Sequence, residues 1–214
     1  MSWQHICITR FGGPEVLELA EQPTIPEPGP GEVRIKILAA GTGFTDSFIR
    51  RGRYPDFKGP LPVTPGYELV GVVDKTGPGV VAAREGELVA DLCVVGGYAQ
   101  YAIRPARFLV PVPDGVDMAE AVCIPLAYLT AFQMLTRYRR LPPGATILAI
   151  GASGTVGTAL LDLARHLGLR RSAPARPRTL LLSSDLVLRR LTIAPATSSL
   201  PCEDSPRGAR AAPA

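Results

Sequence analysis

The stretch Thr146–Gly157, TILAIGASGTVG, runs an apolar strand into a glycine-rich turn at the head of a helix. Gly151, Gly154 and Gly157 open space where backbone must come close to a bulky anion. Thr158–Leu167 (TALLDLARHL) then reads as an amphipathic helix, apolar at Ala159, Leu160, Leu163, Ala164 and Leu167. A pyrophosphate would rest on that helix's N-terminal N–H groups and on the positive end of its dipole. The glycines fall three and six residues after the first, whereas the dinucleotide fingerprint GxGxxG puts them two and five after it. The plain alternative is an ordinary strand–turn–helix crossover with small residues for packing. The strand before the turn and the helix after it favour the nucleotide site.

At 214 residues the chain has room for one large domain or two small ones. Its apolar fraction, 46%, suffices for a sizeable core, yet no run approaches the ~20 apolar residues of a membrane span. The opening MSWQHICITRF lacks the charged-then-apolar order of a signal peptide, so the expected location is cytoplasmic. Cys7, Cys93, Cys123 and Cys202 form no CxxC pair and have no nearby His, which favours isolated thiols over a metal site or a disulfide framework. His5 and His166 lack companion ligands as well. The net charge of +4 divides unevenly: residues 1–169 carry 15 Lys and Arg against 16 Asp and Glu, and residues 170–214 carry eight Arg against three acids. The basic excess therefore belongs to the C-terminal stretch, and no folded basic patch for nucleic acid is needed.

From Trp3 to about Val112 the pattern is one of short strands punctuated by Gly and Pro. Val16–Ala20 and Glu32–Leu38 alternate apolar and polar residues; Leu69–Val73, Leu88–Leu92 and Tyr98–Ile103 continue the series. Such spacing predicts a small antiparallel barrel. At Asp117 the period changes to helical. Asp117 is a good N-cap with Glu120 three residues on, and Pro125 breaks or kinks the helix near Ile124 before it ends at about Arg137.

Several segments together carry a family resemblance. AAGTGFTDSFIRRGRYP (39–55), LPVTPGYELVGVVDKTGPGV (61–80), GGYAQYAI (96–103), IPLAYLTAF (124–132) and PPGATILAIGASGTVGTALLDLARHLG (142–168) occur in order over about 165 residues. The chain resembles the zinc-independent medium-chain dehydrogenase/reductases, the quinone-oxidoreductase and enoyl-reductase branch. The resemblance implies an α/β protein: a β-rich GroES-like catalytic barrel at 1–116, connecting helices at 117–145, and the start of a Rossmann NAD(P)-binding domain at 146–169. Residues 170–214 form the remaining division, a divergent tail expected to be largely disordered.

Within that family, metal use is the sharpest discriminator. Zinc-dependent members would carry a Cys at Gly43 and a His at Tyr67. A catalytic zinc takes about three protein ligands, so these two residues, with Glu68 left without partners, imply no metal. The resemblance then implies an NADPH-dependent oxidoreductase, with NADH as the alternative cofactor, that transfers hydride to a quinone or an activated C=C of a small-molecule substrate. Thr130 would contact the phosphate or ribose beside the nicotinamide. Gly151, Ala152, Ser153, Gly154, Thr155, Val156 and Gly157 would hold the pyrophosphate. Tyr54 stands where enoyl-reducing relatives keep a proton-donating tyrosine, and Asp46 and Tyr67 would line the cleft with it. Gly43 departs from the Asn usual in the quinone-reducing branch, which weakens a quinone assignment. Each residue also has a plainer alternative: Thr130 satisfying a helix carbonyl, Tyr54 a turn aromatic beside Pro55, Asp46 capping the short helix SFIRRG.

The pattern breaks after Gly168. A complete dinucleotide fold takes two βαβαβ halves, and LRRSAPARPRTLLL interrupts the expected second strand with prolines. The stretch 170–214 contains eight Arg, six Pro, six Ser and eight Ala but no aromatic residue. The expectation is that it arises from a frameshift or a mis-called gene end. The alternative function is then a non-catalytic truncated fragment whose barrel alone folds. Relatives are often homodimers through the Rossmann sheet edge, an edge expected to be missing here. Neither nucleic acid, for want of aromatics to stack bases, nor a membrane is an expected partner.

Overall fold

The computed structural model describes residues 2–55, 57, 59–137 and 141–173. Its first half is built from β1 (Trp3–Cys7), β2 (Glu18–Gln22), β3 (Glu32–Ala40), β4 (Leu69–Thr76), β5 (Leu88–Asp91), β6 (Tyr101–Pro105) and β7 (Val110–Pro111), with a short helix α1 (Phe44–Arg50) between β3 and β4. β1 and β2 form an antiparallel pair, and the other five make an antiparallel sheet in the order β6-β3-β4-β5-β7.

The alternation in β3 sends Val33 and Ile35 to the inside, both without exposed surface, with Arg34 between them and Lys36 after. β4 has both faces covered. Leu69 and Val73 join Val33, Ile35 and Val89 in one apolar cluster, while Val70 joins Ala90, Val116, Ala121 and Val122 in another. That double burial explains why LVGVV reads as a continuous apolar run. Each fully buried aliphatic side chain contributes about 1.5–3 kcal/mol. The sheet is rolled: β5 and β6 are not neighbours in it, yet Asp91 of β5 accepts a hydrogen bond from Arg104 Nε of β6. The expected barrel is formed.

Two strand boundaries differ from the sequence expectation for local reasons. Val16 closes a 3₁₀ turn at Pro14–Val16 instead of opening a strand. Pro14 fixes φ at the turn's entry, and the Glu15 carboxylate accepts the Gly13 N–H at 2.7 Å. Tyr98 also lies outside β6, because its N–H donates to Pro65 O (2.9 Å) in the turn that precedes the strand.

The second half carries α2 (Met118–Val122), α3 (Pro125–Thr136), β8 (Thr146–Leu148), α4 (Thr155–His166) and β9 (Arg170–Ser172). Asp117 caps α2, its carboxylate accepting from the N–H groups of Ala119 and Glu120 at 2.9 and 3.2 Å. Pro125 occupies the first turn of α3, so the helical stretch is divided where the sequence expects it. α4 begins at Thr155, three residues before the expected start, with Gly154 as N-cap. Ala127 and Ala131 of α3 pack on Ala159 of α4.

β8 and β9 pair in parallel through α4, a strand–helix–strand crossover. The sequence division gives residue 170 onward to the tail, whereas the structure continues as strand to Ser172. The physical reason is position: the prolines that argue against a central strand, Pro174 and Pro177, come only after it. The reading of the rest of the tail, 174–214, lies outside the described residues. Among the described residues β8 has a single strand neighbour, and Leu148 and Ile150 are 63% and 84% exposed.

Candidate active site

Three segments of the barrel meet beyond the end of β3: the N-terminus of α1, the loop through Tyr54, and the turn at Gly66–Glu68 that enters β4. Tyr54 and Tyr67 face each other there. Their phenolic oxygens are 2.7 Å apart and their rings meet edge-on, centroids 5.8 Å apart at 85°. In such a pair one hydroxyl donates to the other, and the acceptor keeps its own proton to pass onward. Tyr67 is buried, Tyr54 half-buried.

Asp46 serves backbone in this site. It occupies the first turn of α1, and one carboxylate oxygen accepts the Gly43 N–H at 2.8 Å while the other accepts the Gly66 N–H at 3.2 Å. The plainer sequence alternative for Asp46, helix capping, is therefore present in the geometry, with Gly43 as the N-cap. The second bond does more. It ties α1 to the turn that presents Tyr67, and at Gly66 (φ +107°) a Cβ would lie 2.4 Å from Tyr98 N, so the turn admits only glycine.

Glu68, next to Tyr67, is 8% exposed and accepts the Leu126 N–H at 2.8 Å. Burial pushes its carboxyl above the ordinary range, the Leu126 bond opposes this, and the charge of Asp46 adds to it. The barrel residue beside Tyr67 thus holds the first turn of α3, the helix that carries Thr130. Sequence reading leaves Tyr98 out. Its hydroxyl donates to Gly41 O at 3.3 Å, and burial, then the negative charges of Asp46 and Glu68, drive its pKa well above the usual tyrosine value. The segment GGYAQYAI holds it in view, but a tyrosine beside a strand has too many structural uses to be singled out.

The glycine turn stands at the head of α4, the helix that packs on α3. Gly154 N donates to Gly151 O at 3.0 Å, closing the turn, and no side chain caps α4. Gly151, Ser153, Gly154 and Thr155 are exposed, and Ala152, Val156 and Gly157 are partly so. A Cβ at Gly157 would lie 2.2 Å from Gly151 O. Uncapped first-turn N–H groups and a backbone this close are what an anion such as pyrophosphate requires. The residues fit the group. Thr130 is half-buried on α3, and its hydroxyl bonds to no other described residue. The carbonyl back-bond proposed as its alternative is made instead by Thr136, which donates to Phe132 O at 2.7 Å.

Neither of these places coincides with the large cavity. About 560 Å³ of mostly apolar space lies between the β5–β7 side of the barrel and α2–α3, with Val94, Arg104 and Tyr128 in its wall. Val94 has φ +67°, a strained value for a β-branched residue, and its N–H donates to Tyr67 O at 3.0 Å. Among the described residues no group of three or more His, Cys, Asp or Glu side chains could hold a metal ion.

A barrel carrying a tyrosine pair is followed by a strand–glycine turn–helix unit. Residues 29–114 match the alcohol dehydrogenase GroES-like domain, and the chain is similar over most of its described length to quinone oxidoreductases of the medium-chain dehydrogenase/reductase family. It is 36% identical over 166 residues to quinone oxidoreductase of Rattus norvegicus, an alignment covering 77% of this chain and 50% of the relative. Among solved structures, the quinone oxidoreductase of Thermus thermophilus, described with its NADPH complex, is similar at 36% identity and a TM-score of 0.71, covering 81% of this chain and 54% of that one. A mycobacterial protein, Rv1454c, complexed with NADPH, gives 36% identity and a TM-score of 0.72, with 79% and 52% covered. The chain spans about half the length of the curated relatives it matches.

Proposed function

We propose that this chain is an NADPH-dependent oxidoreductase that works without zinc and reduces a quinone or an activated C=C of a small molecule. The observation that carries the reading is the Tyr54–Tyr67 pair on a barrel joined, through Glu68 and Leu126, to the helix that precedes the glycine turn. NADPH, when bound, supplies the hydride.

The protein supplies place and proton. Gly151, Ala152, Ser153, Gly154, Thr155, Val156 and Gly157, with the N–H groups opening α4, would hold the pyrophosphate. Thr130 would offer its unengaged hydroxyl to the phosphate or ribose next to the nicotinamide. Tyr54 donates the proton that matches the transferred hydride, and Tyr67 replenishes it along the 2.7 Å hydrogen bond. Hydride and proton together reduce the double bond or carbonyl, and the phenolate left behind recovers its proton from solvent. Asp46 keeps the Tyr67 turn in place. Gly43 and Tyr67 present neither thiolate nor imidazole, and Glu68 is committed to Leu126, which supports chemistry without zinc. NADH as the alternative cofactor and a cytoplasmic location belong to the same reading.

A second reading rests on length. Because the chain spans about half of its relatives, it can be a piece whose barrel folds but which does not catalyse. Titrating the purified chain with NADPH separates the two. Saturable micromolar binding, followed by NADPH oxidation on adding a quinone or an α,β-unsaturated carbonyl compound, supports the enzyme. Absence of binding up to millimolar NADPH supports the fragment.

A further inference from the structure

Ala127, Ala131 and Ala159, all buried, meet in the contact between α3 and α4, flanked by Val156, Leu160 and Leu163 and, further along, by Leu135 and Ala164. Apolar contact is non-directional, so a hydrogen bond between the two helices adds a directional constraint that this packing lacks. A polar contact crosses it: the Tyr128 hydroxyl donates to Asp162 Oδ2 at 2.9 Å. Asp162 is 3% exposed, and none of the ion pairs among the described residues involves it. His166 Nδ1 meets the main-chain oxygen of Asp162, at 3.1 Å, and not its carboxylate.

A buried carboxylate at this place is costly unless it is bonded. A shift of α4 by one residue, about 1.5 Å along its axis, would break the bond to Tyr128 and leave the charge without that donor. Two apolar residues would pack here at least as well, so the pair's distinguishing property is that it admits one register. What that register sets is specific. α3 carries Thr130 two residues beyond Tyr128, and α4 carries the glycine turn at its head.

We propose that Asp162 is a positioning residue for the cofactor site: by accepting the Tyr128 hydroxyl it fixes α4, and with it the Gly151–Gly157 turn, in register with Thr130. The inference rests on the reading that this turn holds NADPH. Tyr128 remains the donor across the working range of pH, since burial and then the Asp162 carboxylate raise its pKa well above the usual tyrosine value. Tyr128 also lines the barrel cavity, so the same residue touches both halves of the described structure.

The test uses the full chain in three forms beside the wild type. Asp162→Asn keeps an acceptor oxygen; Tyr128→Phe with Asp162→Leu replaces the pair by apolar groups and leaves nothing unpaired; Tyr128→Phe alone serves if the double variant does not fold. The expected result is NADPH affinity within twofold of wild type for Asp162→Asn and at least tenfold weaker for the apolar pair, at unchanged or higher melting temperature. Equal affinities in all folded forms overturn the proposal. If the wild type itself binds no NADPH, the cofactor reading has failed and amide hydrogen exchange decides the register question alone. Protection at Gly151–Thr158 should then persist in Asp162→Asn and fall in the apolar pair, and protection unchanged in both overturns it. In an ultraviolet titration of the tyrosines, Asp162→Asn should move one ionisation to lower pH, and the same substitution in a Tyr128→Phe background should move none.

Discussion

The phenolic oxygens of Tyr54 and Tyr67 sit 2.7 Å apart, although thirteen positions separate the residues in the chain and one follows a helix while the other precedes a strand. What joins them is Asp46, whose second carboxylate oxygen draws the Gly66 turn onto α1. The tyrosine pair is thus assembled by a side chain whose two carboxylate oxygens each hold a backbone N–H.

Replacing Tyr54 by Phe should lower kcat about 10²–10³-fold, in the range of lost general-acid catalysis. NADPH affinity should stay within twofold. Tyr67→Phe should have a smaller effect on kcat, because Tyr54 can still donate once per turnover. Steady-state rates with an α,β-unsaturated carbonyl substrate, together with fluorescence titration of NADPH, check both.

Asp46→Ala removes acceptors from two backbone N–H groups, one of them at the buried Gly66 turn. A loss of about 1–3 kcal/mol is expected, measured as a shift in the urea midpoint with unchanged slope. Gly66→Ala should cost at least as much, since φ +107° and a 2.4 Å approach to Tyr98 N oppose any Cβ. Both should lower kcat by displacing Tyr67.

Glu68→Gln should change the pH dependence of stability. The folded-state pKa of Glu68 is raised, chiefly by burial, so between its unfolded and folded values the native state holds the extra proton. Stability from this group therefore falls as pH rises through that window and is not lost on acidification below it. The Gln variant, which keeps an acceptor for Leu126 N, should gain in melting temperature over the wild type at pH 7 and lose that advantage near pH 4. A variant with equal melting temperatures at both pH values would contradict the assignment.

Cys93 should resist alkylation in the native protein. Its thiol donates to Gly66 O at 3.3 Å, and burial, followed by the Asp91 charge, pushes its pKa up to about 12. Cys123 is exposed. Mass spectrometry after iodoacetamide treatment at pH 8 should find Cys93 unmodified until denaturant is added, with Cys123 modified more readily.

Much of this is readable from residue order. Alternation in Glu32–Leu38, the unbroken apolar run of Leu69–Val73, and the Asp117 and Pro125 signals are local effects, and the strands and helices stand where those effects act. Val16 and Tyr98 fall outside their expected strands because a turn-stabilising bond, Glu15 to Gly13 in one case and Tyr98 to Pro65 in the other, involves geometry that a period cannot register. Tyr54 and Tyr67 are legible as residues but not as a pair. Asp46 is legible as a cap, and its bond across to Gly66 is not. The Tyr128–Asp162 contact leaves no trace at all, since an Asp on an amphipathic helix reads as a solvated one until the facing helix is known.

The β8 edge has a practical consequence. Ile150 and Leu148 lie bare beside a strand with one unfilled row of N–H and C=O groups among the described residues, and such a row accepts any strand that reaches it. Preparations of this chain should therefore scatter more light as they are concentrated, and the barrel, whose sheet is rolled upon itself, should be the part that survives limited proteolysis of those aggregates.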